Sequence, residues 1–426
     1  MPNVRDNLNL YPVIKAQTIS GYPLEVTTVG VAGDAFGRLR TSDPFTLFDS
    51  SHRYQDNDLW STATGVSSDA TFNANAGLVD LNVTTTSGGY VTRETKQVFS
   101  YQPGKSLLVL NTFTMEPNKE NLRQRVGYFN GSNGIYIQLD EGVVSFVERS
   151  FVTGSVTETS VPQNQWNIDR LDGSGHSGKT LDITKAQIFW MDIEWLGLGT
   201  VRLGFVIDGV FIHCHSFHHA NLIEATYITT ASLPLRYEII NLDTTASNST
   251  LKQVCSTVIS EGGYELRGDQ RAIGTLITAP YDLTATGVRY PVASIRLKAS
   301  PNRLDAIVIP TAISVLGDGN NGIYAWEVVQ NATTSGGTWS SVGSDSAVEY
   351  NISGSSTSGG TVVARGYFAS ANQSTTSVDI LKEALFASQL RRNGLTNTPE
   401  EFGLVVEGKV AGHDVYGSLD FEEISR

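Results

Sequence analysis

Cysteine is nearly absent: Cys214 and Cys255 are the only two in 426 residues. That excludes a disulfide framework and leaves two reduced thiols in strands as the expectation, with a single bridge as the alternative. Charge is sparse at 17%, and positive charge is in deficit, with 30 Lys and Arg against 43 Asp and Glu. A net charge of −13 repels phosphate backbones and excludes nucleic acid as a partner. No apolar run is long enough to cross a bilayer. Residues 1–15 have no apolar core of signal-peptide length, so synthesis in a cytoplasm is expected. A G-x-S-x-G elbow, a P-loop and a dinucleotide fingerprint are all missing, as is any fixed-period repeat. No catalytic set and no cofactor are implied. Arg267, Gly268 and Asp269 form an Arg-Gly-Asp tripeptide, but three residues recur by chance and carry no weight.

What is abundant is glycine, 41 residues, together with loop Ser, Thr and Asn, in a chain that is 40% hydrophobic. Short alternating runs separated by turn chemistry every 8–12 residues indicate antiparallel strands. Such runs occupy 72–83, 89–99, 107–115, 123–129, 135–139 and 143–147, and then 188–196, 201–207, 210–217, 227–230, 235–241 and 251–260. Asn130 to Gly134 and Asp140 to Gly142 read as hairpin turns that need positive φ. The expected fold is all-β: a large antiparallel sandwich of jelly-roll or concanavalin-like type over 46–265. An extended N-terminal arm over 1–45, broken by Pro2, Pro12, Pro23 and Pro44, precedes it, with strand pattern over 19–31. A linker over 266–288 leads to a smaller C-terminal β domain over 289–426. One helix is expected there at 377–390, where Ile380, Leu381, Ala384, Leu385 and Ala387 recur at helical spacing.

The stretch QWNIDRLDGSGHSG at 165–178 is a glycine-punctuated polar loop feeding an apolar strand, the pattern of a sandwich corner. With WMDIEWLG at 190–197 and VRLGFVIDG at 201–209 it resembles a family of tailed-bacteriophage virion structural proteins. AFGRLRTS at 35–42, FTLFDS at 45–50 and CSTVISEGGY at 255–264 are similar to the same family. The resemblance implies a place in a virion, other virion proteins as partners, and many copies, a trimer being favoured for a fibre or spike. An acidic chain without a basic segment suits an outward-facing fibre, spike or decoration component with a role in host attachment.

Three groups of residues are candidates for chemistry, and a fourth segment is a candidate for attachment. Trp190, Asp192 and Glu194 share one face if 188–196 is a single strand. The run resembles the E-x-D-x-E-F-L-G strand of concanavalin-fold glycoside hydrolases, laminarinases and lichenases. That resemblance implies a nucleophile where Trp190 stands, and an indole cannot attack an anomeric carbon; a retaining glycosidase needs two carboxyls. The alternative function is a carbohydrate-binding or carbohydrate-degrading protein, with Trp190 or Trp195 as stacking platform beside Asp192 and Glu194 and a host surface glycan as partner. The plainer expectation pairs these carboxylates with arginines such as Arg202. The second group is His213, His215, His218 and His219, a candidate metal cluster if His213 and His215 share a face. In the third, Asp169, Asp172 and Asp182 with loop carbonyls could hold calcium, although the loop lacks the EF-hand spacing. The fourth is the arm, which has too little apolar mass to fold alone and is expected to dock on the sandwich or on a neighbouring subunit.

Overall fold

A computed structural model of the chain describes residues 14–17, 25–28, 43–372 and 388–425. The chain divides into two units, residues 1–58, 62–93 and 101–264 in the first and 59–61, 94–100 and 265–426 in the second. Most of the arm lies outside the described residues; within it Ile14–Gln17 pairs antiparallel with Glu25–Thr28.

The first unit is a two-sheet antiparallel sandwich of jelly-roll, concanavalin-like type. Its strands are β1 (Phe45–Ser51), β2 (Trp60–Thr64), β3 (Ser68–Asn73), β4 (Leu78–Val83), β5 (Tyr90–Thr95), β6 (Ser106–Thr114), β7 (Leu122–Phe129) and β8 (Gly134–Asp140). They continue as β9 (Val143–Ser150), β10 (Thr157–Pro162), β11 (Gln187–Ile193), β12 (Val201–Ile207), β13 (Val210–Phe217), β14 (Leu235–Asn241) and β15 (Ser249–Glu261). One sheet runs β10-β9-β8-β7-β14-β5-β2, and the other β13-β12-β11-β6-β15-β4-β3. The 13-residue β15 pairs with β6 along one side, and with β4 and then β1 along the other.

Local sequence explains the pieces. In β6, Leu107, Val109, Asn111 and Phe113 are buried while the residues between them are half-buried, the period of a strand with one face on the core. Glu141-Gly142 and Asp208-Gly209 close tight hairpins with both residues at positive φ, 47° and 81° in the first and 53° and 75° in the second. That is the type I′ geometry that matches strand twist, and it selects glycine at the second position. β10, a polar and mostly exposed edge strand, was not legible in the sequence because it buries little.

The two sheets are joined by aromatic side chains. Phe146 of β9 stacks on Trp166 at 4.2 Å, Phe189 of β11 at 5.7 Å and Phe205 of β12 at 6.2 Å. Tyr237 of β14 crosses the core, its hydroxyl 2.9 Å from Ser256 Oγ and 3.2 Å from the Cys255 carbonyl of β15. Burial pushes the Tyr237 phenol far above its ordinary value. Both cysteines are free thiols.

The second unit has strands β16 (Asp269–Gly274), β17 (Tyr281–Leu283), β18 (Tyr290–Leu297), β19 (Ile307–Gly317), β20 (Ile323–Ser335), β21 (Val348–Asn351), β22 (Ser356–Ala369), β23 (Glu401–Gly408) and β24 (His413–Ser425). β24 is the hub of a four-stranded sheet with β16, β17 and β19. A six-stranded sheet runs from Ser340–Ser341 through β21-β18-β23-β20-β22. Val292, Ile295, Val328, Leu404 and Val406 belong to its core.

Two expectations change. Residues 266–288 are not a linker: they contain β16 and β17, which pair with β24 and contribute Ile273 and Leu283 to the core of this unit. So few apolar residues among glycines and charges gave no periodic signal. The helix expected at 377–390 lies outside the described residues apart from 388–390, which are not helical.

Replacing Tyr237 with Phe removes a buried hydroxyl while keeping the ring. The expected loss is about 1–3 kcal/mol of unfolding free energy, because partners in the dry core are left unsatisfied. Urea unfolding of the full chain followed by fluorescence measures it.

Candidate functional site

The strand with the carboxylates folds so that chemistry at Trp190 is closed off. Trp190 is 1% exposed, with Phe211 and His213 of β13 each 5.8 Å away, ring to ring. It lies against Gly204, its cross-strand partner, where a side chain would run into the Ile212 carbonyl and the indole. Trp190 is therefore not a stacking platform, since the β12 glycine gives the ring a slot under β13. Asp192 faces Arg202 across the β11–β12 ladder and is ion-paired to it, as the plainer expectation had it. Its other oxygen, Oδ1, is buried without a partner.

Glu194 lies just beyond the end of that strand, its N–H donating to the Thr200 carbonyl at 3.2 Å. β11 ends at Ile193, and the chain turns through Leu196 and Gly197 at φ 38° and 77°. Strand alternation stops one residue before Glu194, which is exposed in the turn. Trp195 is half-buried, its ring 6.4 Å from Tyr101 and its Nε1 buried without a partner.

The four histidines do not converge. A register shift between Leu203 and Gly204 puts His213 beside Trp190 on the outer face, while His215 stacks at 6.3 Å on Phe146 in the core. The β-bulge breaks the alternation that would have paired them. His213 Nε2 is 2.9 Å from Ser216 Oγ, and His215 Nδ1 accepts the Asn167 N–H at 3.3 Å. Burial pushes both rings down to about 4. His218 is exposed, 3.4 Å from Thr200 Oγ1. His219 lies between the Gly199 carbonyl at 2.6 Å and the Glu148 carboxylate at 2.7 Å, stacked on Tyr227 at 3.9 Å. Burial works against its charge, but these acceptors outweigh burial and raise its pKa. Among the described residues no group of three His, Cys, Asp or Glu is placed to hold a metal ion.

The 165–178 loop is held by its own backbone. Buried Asp169 accepts the Leu171 and Ser177 N–H groups at 2.9 Å each, and a side chain at Gly175 would collide with it. Asp172 and Asp182 each cap a local turn, through Ser174 and Thr184. The three carboxylates organise separate turns and do not assemble a calcium site. Asn167 bonds the backbone of Ser216 in both directions, which fixes the loop to β13.

Sequence reading missed a second constellation, on the outer face of the other sheet. Arg125 of β7 lies opposite Gln138 of β8 and Glu238 of β14. Its Nε donates to Gln138 at 2.7 Å, and its other nitrogens reach Glu158 and Glu238 at 3.5 Å. Arg149 of β9 donates twice to Glu158 of β10, at 3.0 and 2.7 Å, and Tyr136 donates to the same oxygen at 2.8 Å. Arg149 and Arg236 both cover the Phe129 ring at 5.6 Å. Only cross-strand register brings these residues together; along the chain they are scattered single charges.

The lowered histidines set an acid limit. Their folded values near 4 lie below the roughly 6.5 of an unfolded histidine. Their contribution is thus fully present above the unfolded value and is lost as pH falls through the folded one. The urea midpoint is expected to fall between neutral pH and pH 4, and His215→Gln is expected to make that fall shallower.

No protein-family model matches the chain, and no curated protein matches it. Among solved structures it is similar to a prokaryotic β-1,3-1,4-glucanase (lichenase) derived from a mouse hindgut metagenome, 13% identical at a TM-score of 0.33 over 52% of this chain and 100% of that one. It is also similar to the Bacillus licheniformis β-glucanase, 12% identical at 0.32 over 53% and 100%. A third is the CBM2 module of the evolved Dit of Lactobacillus casei BL23 phage J-1, 7% identical at 0.35 over 53% and 100%. Likeness at these TM-scores carries no argument about what this chain binds or does.

Proposed function

We propose that the chain is a structural component of a tailed-bacteriophage virion, an outward-facing fibre, spike or decoration protein that works without hydrolytic chemistry. The motif set spread over residues 35–264 supports the particle role, and an acidic chain that packaged DNA would repel supports the outward-facing position. The observation that carries the non-hydrolytic reading is the state of β11. A buried indole stands at Trp190, Asp192 is held by Arg202, and Glu194 sits beyond the strand end. A retaining mechanism needs a nucleophile and an acid about 5–5.5 Å apart on one face, and a buried indole where the resemblance puts the nucleophile speaks against it. The expected partners are other virion proteins and further copies of the chain, as a trimer if the assembly is a fibre or spike.

Two measurements test the reading. Mass spectrometry and imaging of purified particles should find the chain on the outside of the particle; its absence from particles, or a place against packaged DNA, would refute the assignment. Incubation with host polysaccharide should release no reducing ends above blank. Release that Glu194→Gln abolishes would establish an enzyme instead.

A further inference from the structure

β22, Ser356–Ala369, is the last strand of the six-stranded sheet, paired with β20 on one side and with no described strand on the other. In an antiparallel ladder every second residue turns its N–H and C=O away from its partner strand, so the outer side of β22 is a row of main-chain donors and acceptors. Past Thr357 none of its residues is buried; Val362 is 43% and Tyr367 70% exposed. Proteins blunt such an edge with charge, proline or a bulge. β22 has no proline and one charge, Arg365. Gly359 and Gly360, at φ 64° and 77°, and the register shift at Val328/Val329 interrupt the ladder only as far as Val363.

Charge selects a second copy of the chain as the occupant. At a net charge of −13, most of the surface of one copy repels another. Between Glu349 and Asp379 the sequence has no Asp or Glu, and β22 lies within that stretch. Across the ladder Glu327 of β20 stands opposite Arg365, 3.5 Å from it, so the one cation of the edge has its own carboxylate. The same guanidinium lies over the Tyr367 ring at 5.7 Å. Gly366, between them, lies against Trp326, where a side chain would collide with the indole. Antiparallel self-pairing about Gly366 sets Arg365 of each copy opposite Tyr367 of the other, on one face. Pairing about Arg365 would set two guanidinia directly opposite each other, which destabilises a ladder.

We propose that two copies of the chain join edge to edge through β22, antiparallel about Gly366, so that the six-stranded sheet of one continues into that of the other. The contact is two-fold, the same strand meeting itself. Main-chain bonds along Val363 to Ala369 supply affinity, and the match of Arg365 with Tyr367 supplies register. The contact does not depend on the particle role.

Sedimentation equilibrium of the full chain over the micromolar range tests it, with amide hydrogen exchange at the two ends of that range. A monomer–dimer equilibrium is expected, and the amides of 363–369 should gain protection as the dimer fills. Tyr367→Lys, which sets a cation opposite Arg365 of the other copy, should weaken the dimer about tenfold or more. Tyr367→Glu, which sets an anion there, should keep or tighten it. Tyr367 is exposed, so both variants should keep the thermal midpoint of the dilute monomer; should either lose it, the exchange of the native chain decides. A monomer at every concentration, an odd number of copies, a dimer whose 363–369 amides stay unprotected, or equal weakening by Lys and Glu overturns the proposal. Protection of those amides in the monomer overturns it too, because the chain would then cover its own edge.

Discussion

The large sandwich is built around one side chain, Phe146, which stacks on Trp166 at 4.2 Å. Phe146 comes from the seven-stranded sheet; Phe189 and Phe205, which flank it, come from the other. Aromatic rings in offset stacks add about 0.5–1.5 kcal/mol each beyond the area they bury. Trp166 belongs to no strand and enters the core from the corner loop at 165–178. That loop is then tied down by Asn167 on Ser216 and by the Ile168 and Asp169 amides on the Cys214 carbonyl. The glycine-rich corner is therefore a piece of the core's construction, and its aspartates serve backbone turns.

The same economy governs the residues that invite a catalytic reading. A strand that could carry a carboxylate row carries a buried indole, an arginine-clamped aspartate and a glutamate released into a turn. Histidines that could converge are split by one bulge, after which each finds a hydroxyl, amide, carbonyl or carboxylate of its own. Polar groups buried in a low-dielectric interior are costly unless partnered, and these partners are what the fold supplies.

Much of the fold was legible in the sequence. Alternation placed the strands of β6, β7, β8, β12 and β13 within a residue or two, and the turn read at Asp140 to Gly142 has Glu141 and Gly142 at positive φ. The pairing of Asp192 with Arg202 was also readable, since both lie on apolar-patterned strands joined by one turn. β10, β16 and β17 were not legible, because a strand that is exposed or nearly all polar has no period to detect.

Sequence by itself determined the all-β class, the acid surplus, the absence of a catalytic motif and the turn positions, because composition and local backbone preference act over a few residues. Tertiary structure alone decided which face each side chain took. The shift at Leu203/Gly204 and the end of β11 at Ile193 each break the alternation at a single residue, and one residue is enough to send a side chain to the other face. The gathering of Arg123, Arg125, Arg149 and Arg236 likewise rests on the register of four strands, and register is fixed only when the two sheets close on their shared core.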